Sequence, residues 1–224
     1  MSDLDLVRKA EDFLELVLEG RDESHGIAHA KAVRDNVLKI WDLCDEGEVG
    51  ELEENANIGI VSLKNAAQIA ALLHDVCDHK YISASDNTLA QNNFLNETYD
   101  IRTAEVIKLI VQSVSYSKEK KGKLDDVLKS MEHSILFLRN VVSDADKIEA
   151  LGEIGLERCF QYAKETGSTD EEAWAHVAEH CDDKLLRLLP EYIRTEGGKV
   201  LAKEGHDFLQ KWRDEWATNN EGKK

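Results

Sequence analysis

The chain has 224 residues and a net charge of −17, from 45 acidic against 28 basic residues. That length suits one domain with its own core, and the acidity argues against a polynucleotide partner, whose phosphate backbone needs basic stripes. With 42% hydrophobic residues, no apolar run near the roughly 20 residues a bilayer demands, and an acidic start (Met1, Ser2, Asp3) unlike a signal peptide, the expectation is a cytoplasmic protein with no membrane partner. The four cysteines, Cys44, Cys77, Cys159 and Cys181, form no C-x-x-C pair and read as reduced thiols filling the core.

A single proline, Pro190, and the scarcity of β-branched alternation predict an all-α protein of roughly nine helices. The first helix covers residues 3–18, with Leu4, Val7, Phe13, Leu14 and Val17 offered to the core and Gly20 as its C-terminal cap. After a break at Ser24–Gly26 the second covers 27–44, and the polar stretch 45–57, with Gly47 and Gly50, reads as an exposed loop. A third helix covers 62–76 and a loop follows over 78–85. Further helices are expected at 86–96, 100–114, 124–137, 141–151, 155–166, 170–189 and 195–218, the last weakened at its start by Gly197-Gly198. The basic cluster Lys118–Lys123 interrupts the series as a flank on the surface. No repeat or linker divides the chain, which gives one domain over 1–218 and a frayed tail over 219–224.

The dipeptide His74-Asp75 closes the apolar run 66–73, where charged or polar side chains are costly unless satisfied. A divalent metal would satisfy both. His29 lies on the helical face of Val33, Asn36, Val37 and Ile40, and Asp146 lies at the margin of the stripe Val141, Val142, Ala145, Ile148 and Leu151. Taken one at a time, each His is more often a hydrogen-bonded core residue than a ligand. Together they offer two imidazoles and carboxylates, a set that suits Mn, Fe, Zn or Ni with water in the open positions. Such an ion generates a hydroxide nucleophile near neutral pH.

In order along the chain, four segments resemble the HD-domain superfamily of metal-dependent phosphohydrolases, closest to its small single-domain bacterial-type members. Ser24-His25-Gly26-Ile27-Ala28-His29-Ala30-Lys31-Ala32-Val33 resembles S-H-x-x-x-H-x-x-R-V, and Leu72-Leu73-His74-Asp75-Val76-Cys77-Asp78-His79-Lys80-Tyr81 resembles L-L-H-D-[IV]-x-D-x-K-[FY]. Ser113-Val114-Ser115-Tyr116-Ser117 is similar to I-S-[FY]-S, and Asp144-Ala145-Asp146-Lys147-Ile148-Glu149-Ala150-Leu151-Gly152 is similar to D-A-D-R-L-[DE]-A-[LI]-G. Lys184-Leu185-Leu186 and Thr195-Glu196-Gly197-Gly198-Lys199 extend the likeness, which spans 22–216. Ala32 stands where Arg is usual before Val, and Lys147 where Arg is common; lysine keeps the charge but not the bidentate fork.

The resemblance implies an HD-domain fold with core motifs over 22–155, a C-terminal helical part over 156–218, and one central divalent ion, Mn2+ foremost. It implies His29, His74, Asp75 and Asp146 as metal ligands, with Asp144 behind them; the reverse assignment of Asp144 and Asp146 stays open. Asp78 would serve as the group that orients or deprotonates water, and His25, Lys80 and Lys147 would face a small phosphorylated substrate. The implied reaction is hydrolysis of nucleoside triphosphates, deoxynucleotides foremost, to monophosphate and pyrophosphate, by a monomer or homodimer. The alternatives are a nucleoside monophosphate phosphatase on the same site and a non-catalytic metal-stabilised binding module.

His176-Val177-Ala178-Glu179-His180 also satisfies the H-x-x-E-H pattern of inverted zinc proteases. A short all-helical chain without a convincing third ligand helix makes a solvated helix face the simpler expectation. Trp212 and Trp216, four residues apart, are expected to serve packing.

Overall fold

The computed structural model describes residues 3–18, 26–77 and 84–220, and every regular element among them is helical. The helices are α1 (Asp3–Val17), α2 (Ile27–Asp42), α3 (Glu46–Asn55), α4 (Leu63–Leu73), α5 (Ala84–Thr98), α6 (Ile101–Ser113), α7 (Tyr116–Lys120), α8 (Asp125–Ser130), α9 (His133–Ile148), α10 (Gly152–Glu165), α11 (Asp170–His180) and α12 (Glu196–Asn220). Two π-helical turns, Cys181–Leu185 and Leu188–Tyr192, lie between α11 and α12.

Helix α4 is apolar all round from Ala66 onward apart from Gln68, and a helix of that kind belongs in the middle of a protein. Leu63 and every residue from Ala66 to Leu73 are buried, and α1, α2, α6 and α9 pack around it. Ser62 caps its start by accepting the Asn65 amide proton at 3.4 Å. Ala66, Ala67, Ala70 and Ala71 let the neighbouring helices approach closely, while Ile69, Leu72 and Leu73 fill the gaps. Each of these larger side chains contributes roughly 1.5–3 kcal/mol by leaving water. Helix α2 presents His29, Ala30, Val33, Asn36, Val37 and Ile40 to this centre, and α9 presents Ile135, Leu138, Val141, Val142 and Ala145. In α1 the buried residues are Leu6, Val7, Ala10 and Leu14, whereas Leu4 is exposed, a correction of one helical position.

A second apolar cluster, built on Leu156, Val177, Cys181, Leu185, Leu188, Ile193, Ala202 and Leu209, holds α10, α11 and α12 together. It meets the first at Ile148, the last residue of α9. Trp212 packs against it, and Phe160, Trp174, Trp212 and Trp216 form a run with ring centroids 4.5, 5.9 and 5.8 Å apart, in keeping with a packing role.

Several sequence expectations shift. The stretch expected as a loop over 45–57 contains α3, because Asp45 accepts the Gly47 amide at 2.9 Å and Leu52 finds a buried place. The expected break near 138–140 is absent: α9 runs through it, and the chain turns instead at Met131, where extended backbone ends α8. The long helix expected over 170–189 divides into α11 and the first π turn. Gly197 and Gly198 do not weaken α12 but let it dock. A Cβ on Gly197 would lie 2.5 Å from the Ile40 carbonyl oxygen of α2, and one on Gly198 would lie 2.7 Å from Asp144 Oδ2.

Candidate metal centre

Helix α4 ends at Leu73, and His74 to Cys77 form the turn that follows. His74 keeps helical backbone angles at the cap, so its side chain still points back toward the core. Its Nδ1 lies 2.7 Å from the Ala71 carbonyl oxygen. A carbonyl only accepts, so Nδ1 carries the proton and the lone pair of the neutral ring is on Nε2. His74 Nε2 is buried and makes no hydrogen bond.

That nitrogen faces two carboxylates, Asp75 Oδ2 at 3.5 Å and Asp146 Oδ1 at 3.6 Å. His29 Nε2, from the first turn of α2, lies 3.7 Å from Asp75 Oδ2 and 3.5 Å from Asp146 Oδ1. The two imidazole rings stand edge to face with centroids 5.2 Å apart. Ligand atoms set about 2.0–2.2 Å from one ion lie roughly 3.0–3.5 Å from one another. The four observed separations are slightly wider than that, with the donors pointed at a common centre. The ligand atoms of His29, His74 and Asp75 all lie within 4.8 Å of one another, and Asp146 faces both imidazoles.

The exposures divide the site into a dry wall and an open mouth. The His29 and His74 side chains are 6% and 1% exposed, whereas Asp75 and Asp146 are 28% and 31% exposed. A ligand therefore approaches over the carboxylates. Burial disfavours charge on His74, but the Asp75 and Asp146 carboxylates outweigh it and push its pKa up to about 10. Burial likewise works against the Asp146 charge, and the neighbouring His29 and His74 imidazoles hold that carboxyl well below its usual range. Anionic carboxylates aimed at two imidazoles are the donor set of a divalent-cation site.

Asp144 and Asp146 are two residues apart on α9, so they point about 200° apart around the helix axis. Asp146 turns toward α2 and the α4 cap. Asp144 turns toward the start of α12, where it accepts the amide protons of Arg194 (3.0 Å) and Thr195 (2.7 Å) and the Thr195 hydroxyl (2.7 Å). It thus tethers the C-terminal helices rather than lying behind the metal ligands.

Lys147 is also placed differently from the sequence expectation of a substrate contact. Its Nζ is buried against Glu119 Oε2 (3.1 Å) and the Ser143 hydroxyl. Glu119 further binds Arg139 Nη2 at 3.2 Å and Arg194 Nη2 at 2.9 Å. Burial opposes the charge on Glu119, and Lys147 and Arg139 overcome it, leaving the carboxyl below its usual range. Glu119 escaped the sequence reading because it sits among lysines that look uniformly solvated. Asp78, Lys80 and His25 lie outside the described residues. In the H-x-x-E-H segment, His176 and Glu179 are exposed and the His176 and His180 ring centroids are 6.4 Å apart, as on a solvated helix face.

Three amides near the centre were not legible as site residues. Asn36 of α2 reaches the Ala145 carbonyl oxygen (3.4 Å) and Glu149 Oε1 (3.0 Å) on α9. Gln91 and Asn87 of α5 reach the carbonyl oxygens of Leu73 (2.8 Å) and Val76 (3.3 Å). Only their contacts give them a role.

No known family model matches the chain. It is 26% identical to the Bacillus subtilis protein YpgQ over 221 residues, covering 93% of this chain and 91% of that one. It is 28% identical to protein L803 of Acanthamoeba polyphaga mimivirus over 222 residues, covering 80% of this chain and 82% of that one. The crystal structure of YpgQ in complex with ADP superposes with a TM-score of 0.65 at 23% identity, over 99% of this chain and 98% of that one. An HD-superfamily hydrolase from Bacillus thuringiensis superposes with a TM-score of 0.55 at 22% identity, over 99% of this chain and 100% of that one. With an all-helical architecture matched end to end by these structures, the chain has the HD-domain fold.

Proposed function

We propose that the protein is a metal-dependent phosphohydrolase that cleaves nucleoside triphosphates, deoxynucleotides foremost, to monophosphate and pyrophosphate. The observation that carries this reading is the convergence of His29 Nε2, His74 Nε2, Asp75 Oδ2 and Asp146 Oδ1 at 3.5–3.7 Å beneath an open carboxylate rim. A divalent cation bound there, Mn2+ foremost with Mg2+, Fe2+, Co2+, Ni2+ and Zn2+ as alternatives, supplies positive charge that polarises a phosphoryl oxygen and lowers the pKa of water. The complex of YpgQ with ADP supports a nucleotide as the ligand.

In this reading His74 gives up its Nε2 proton when the cation binds, its Nδ1–H bond to the Ala71 carbonyl oxygen holds the ring in place, and the two carboxylates complete the charge balance. Water adds to the α-phosphorus as the bond to the pyrophosphate leaving group breaks, and Asp78 takes the proton that the water gives up. His25 and Lys80 offset the negative charge of the phosphates. The protein works as a monomer or homodimer in the cytoplasm, where nucleoside triphosphates and reduced cysteines both belong.

A nucleotide panel assayed with each metal in turn tests this, reading pyrophosphate separately from free phosphate. Pyrophosphate release that vanishes in Asp75→Ala, with the helical circular dichroism unchanged, is the expected result. Free phosphate from monophosphates alone would replace it with a phosphomonoesterase. No turnover of any nucleotide by the unmodified, metal-loaded protein would overturn the enzymatic reading.

A further inference from the structure

We propose that Gln91, with Asn87 beside it, is a positioning residue for the metal site, setting the affinity of the centre by clamping the turn that carries His74 and Asp75. The inference rests on the metal-site reading above. His74 and Asp75 stand past the last residue of α4, in a turn whose backbone the helical hydrogen-bond ladder no longer holds. The carbonyl oxygens around that turn can take further donors, with Leu73 already accepting the Val76 amide at 3.3 Å. Gln91 Nε2 donates to the Leu73 carbonyl oxygen at 2.8 Å, just before His74. Asn87 Nδ2 donates to the Val76 carbonyl oxygen at 3.3 Å, just after Asp75.

The two amides are four residues apart, so one face of α5 grips the turn on both sides of the ligand pair. The Cys77 thiol donates to Gln91 Oε1 at 2.9 Å, which orients the amide so that its NH2 group faces Leu73. Gln91 is buried, so its bonds compete little with water. Helix α5 contributes no ligand to the four-atom centre. Its hold on the turn nonetheless sets where the Asp75 carboxylate lies relative to the His29 imidazole of α2. Groups behind a metal's ligands change affinity by holding the ligands in the bound geometry before the ion arrives.

The test is calorimetric titration of the folded, metal-stripped protein with Mn2+ alone, for the unmodified chain, Gln91→Met and Asn87→Ala. Gln91→Met keeps the length and apolar stem but removes both hydrogen bonds. It is expected to weaken Mn2+ binding about 10- to 100-fold, with the helical circular dichroism unchanged. Asn87→Ala, at a partly exposed position, is expected to weaken it by a smaller factor. A merely structural role would lower the unfolding midpoint and leave the Mn2+ affinity of the folded protein where it was; that result overturns the proposal. Should Gln91→Met fail to fold, Asn87→Ala decides, and an unchanged affinity there overturns it equally. If the unmodified protein itself takes up no Mn2+, the metal-site reading fails first and this inference falls with it.

Discussion

Asp144 and Asp146 make the sharpest test of the architecture, because they share a helix and a chemistry but face different partners. Asp144→Ala removes an acceptor that is fully buried and receives the Arg194 and Thr195 amides and the Thr195 hydroxyl at 2.7–3.0 Å. The hydroxyl can turn to another acceptor; the two amides cannot. Leaving each without a partner costs about 1–3 kcal/mol, so the apo protein should lose about 3–5 kcal/mol once the small cavity is included. With a urea m-value near the upper end of roughly 1–3 kcal/mol/M, the unfolding midpoint falls by about 1–2 M. Mn2+ affinity, measured below the transition, should change less than about threefold, since Asp144 faces α12 and not the centre.

Asp146→Ala should behave in the opposite way. Its carboxylate offsets charge on the buried His74, so the apo protein loses some stability, while loss of one of the four proposed ligands weakens Mn2+ binding by about 100-fold or more. The measurements are urea denaturation followed by circular dichroism and Mn2+ titration of each variant. If Asp144→Ala lost the metal and Asp146→Ala kept it, the placement of α9 against α2 and α4 would be wrong.

Glu119→Gln should destabilise the protein by about 3–5 kcal/mol, because Arg139 and Lys147 would remain buried with their shared anion gone; thermal unfolding at constant pH measures this. The same pair predicts an acid effect. The folded-state pKa of Glu119 lies below that of the unfolded chain, about 4.3, so its contribution is complete above that value and is lost as pH falls through the lower folded value. Stability of the unmodified protein should therefore fall more steeply below about pH 4 than that of Glu119→Gln, and parallel slopes would refute the pairing. Gly197→Ala should cost more than about 2 kcal/mol, since the added methyl meets the Ile40 carbonyl oxygen at 2.5 Å, whereas Gly50→Ala, in open space on α3, should gain about 0.5–1 kcal/mol. Equal effects in chemical denaturation would show that α12 does not dock on α2 as described.

The helical periodicity around Val33, Val37 and Ile40, and the unbroken apolar run 66–73, were enough to make α2 and α4 inward-facing helices. His29 and His74-Asp75 then stood out because polar groups on such faces need partners. Pattern alone could not decide which carboxylate of α9 joins them. Asp144 and Asp146 border the same stripe, and only the packing of α9 between α2, α4 and α12 turns one toward the imidazoles and the other toward Thr195. The same limit hid α3, whose glycines and glutamates suggest a loop until Leu52 has a core to enter.

Local sequence by itself therefore determined the all-helical class, the central apolar helix and the residues able to ligate a metal, because these follow from composition and period. Tertiary structure turned Asp146 toward the two imidazoles and Asp144 toward Thr195, drew Lys147 into the Glu119 cluster, and set Gln91 and Asn87 against the turn after α4. Each of those outcomes depends on which distant helix packs against which face. A side chain's neighbours 11 to 117 residues away are fixed by three-dimensional packing, and no reading of adjacent residues contains them.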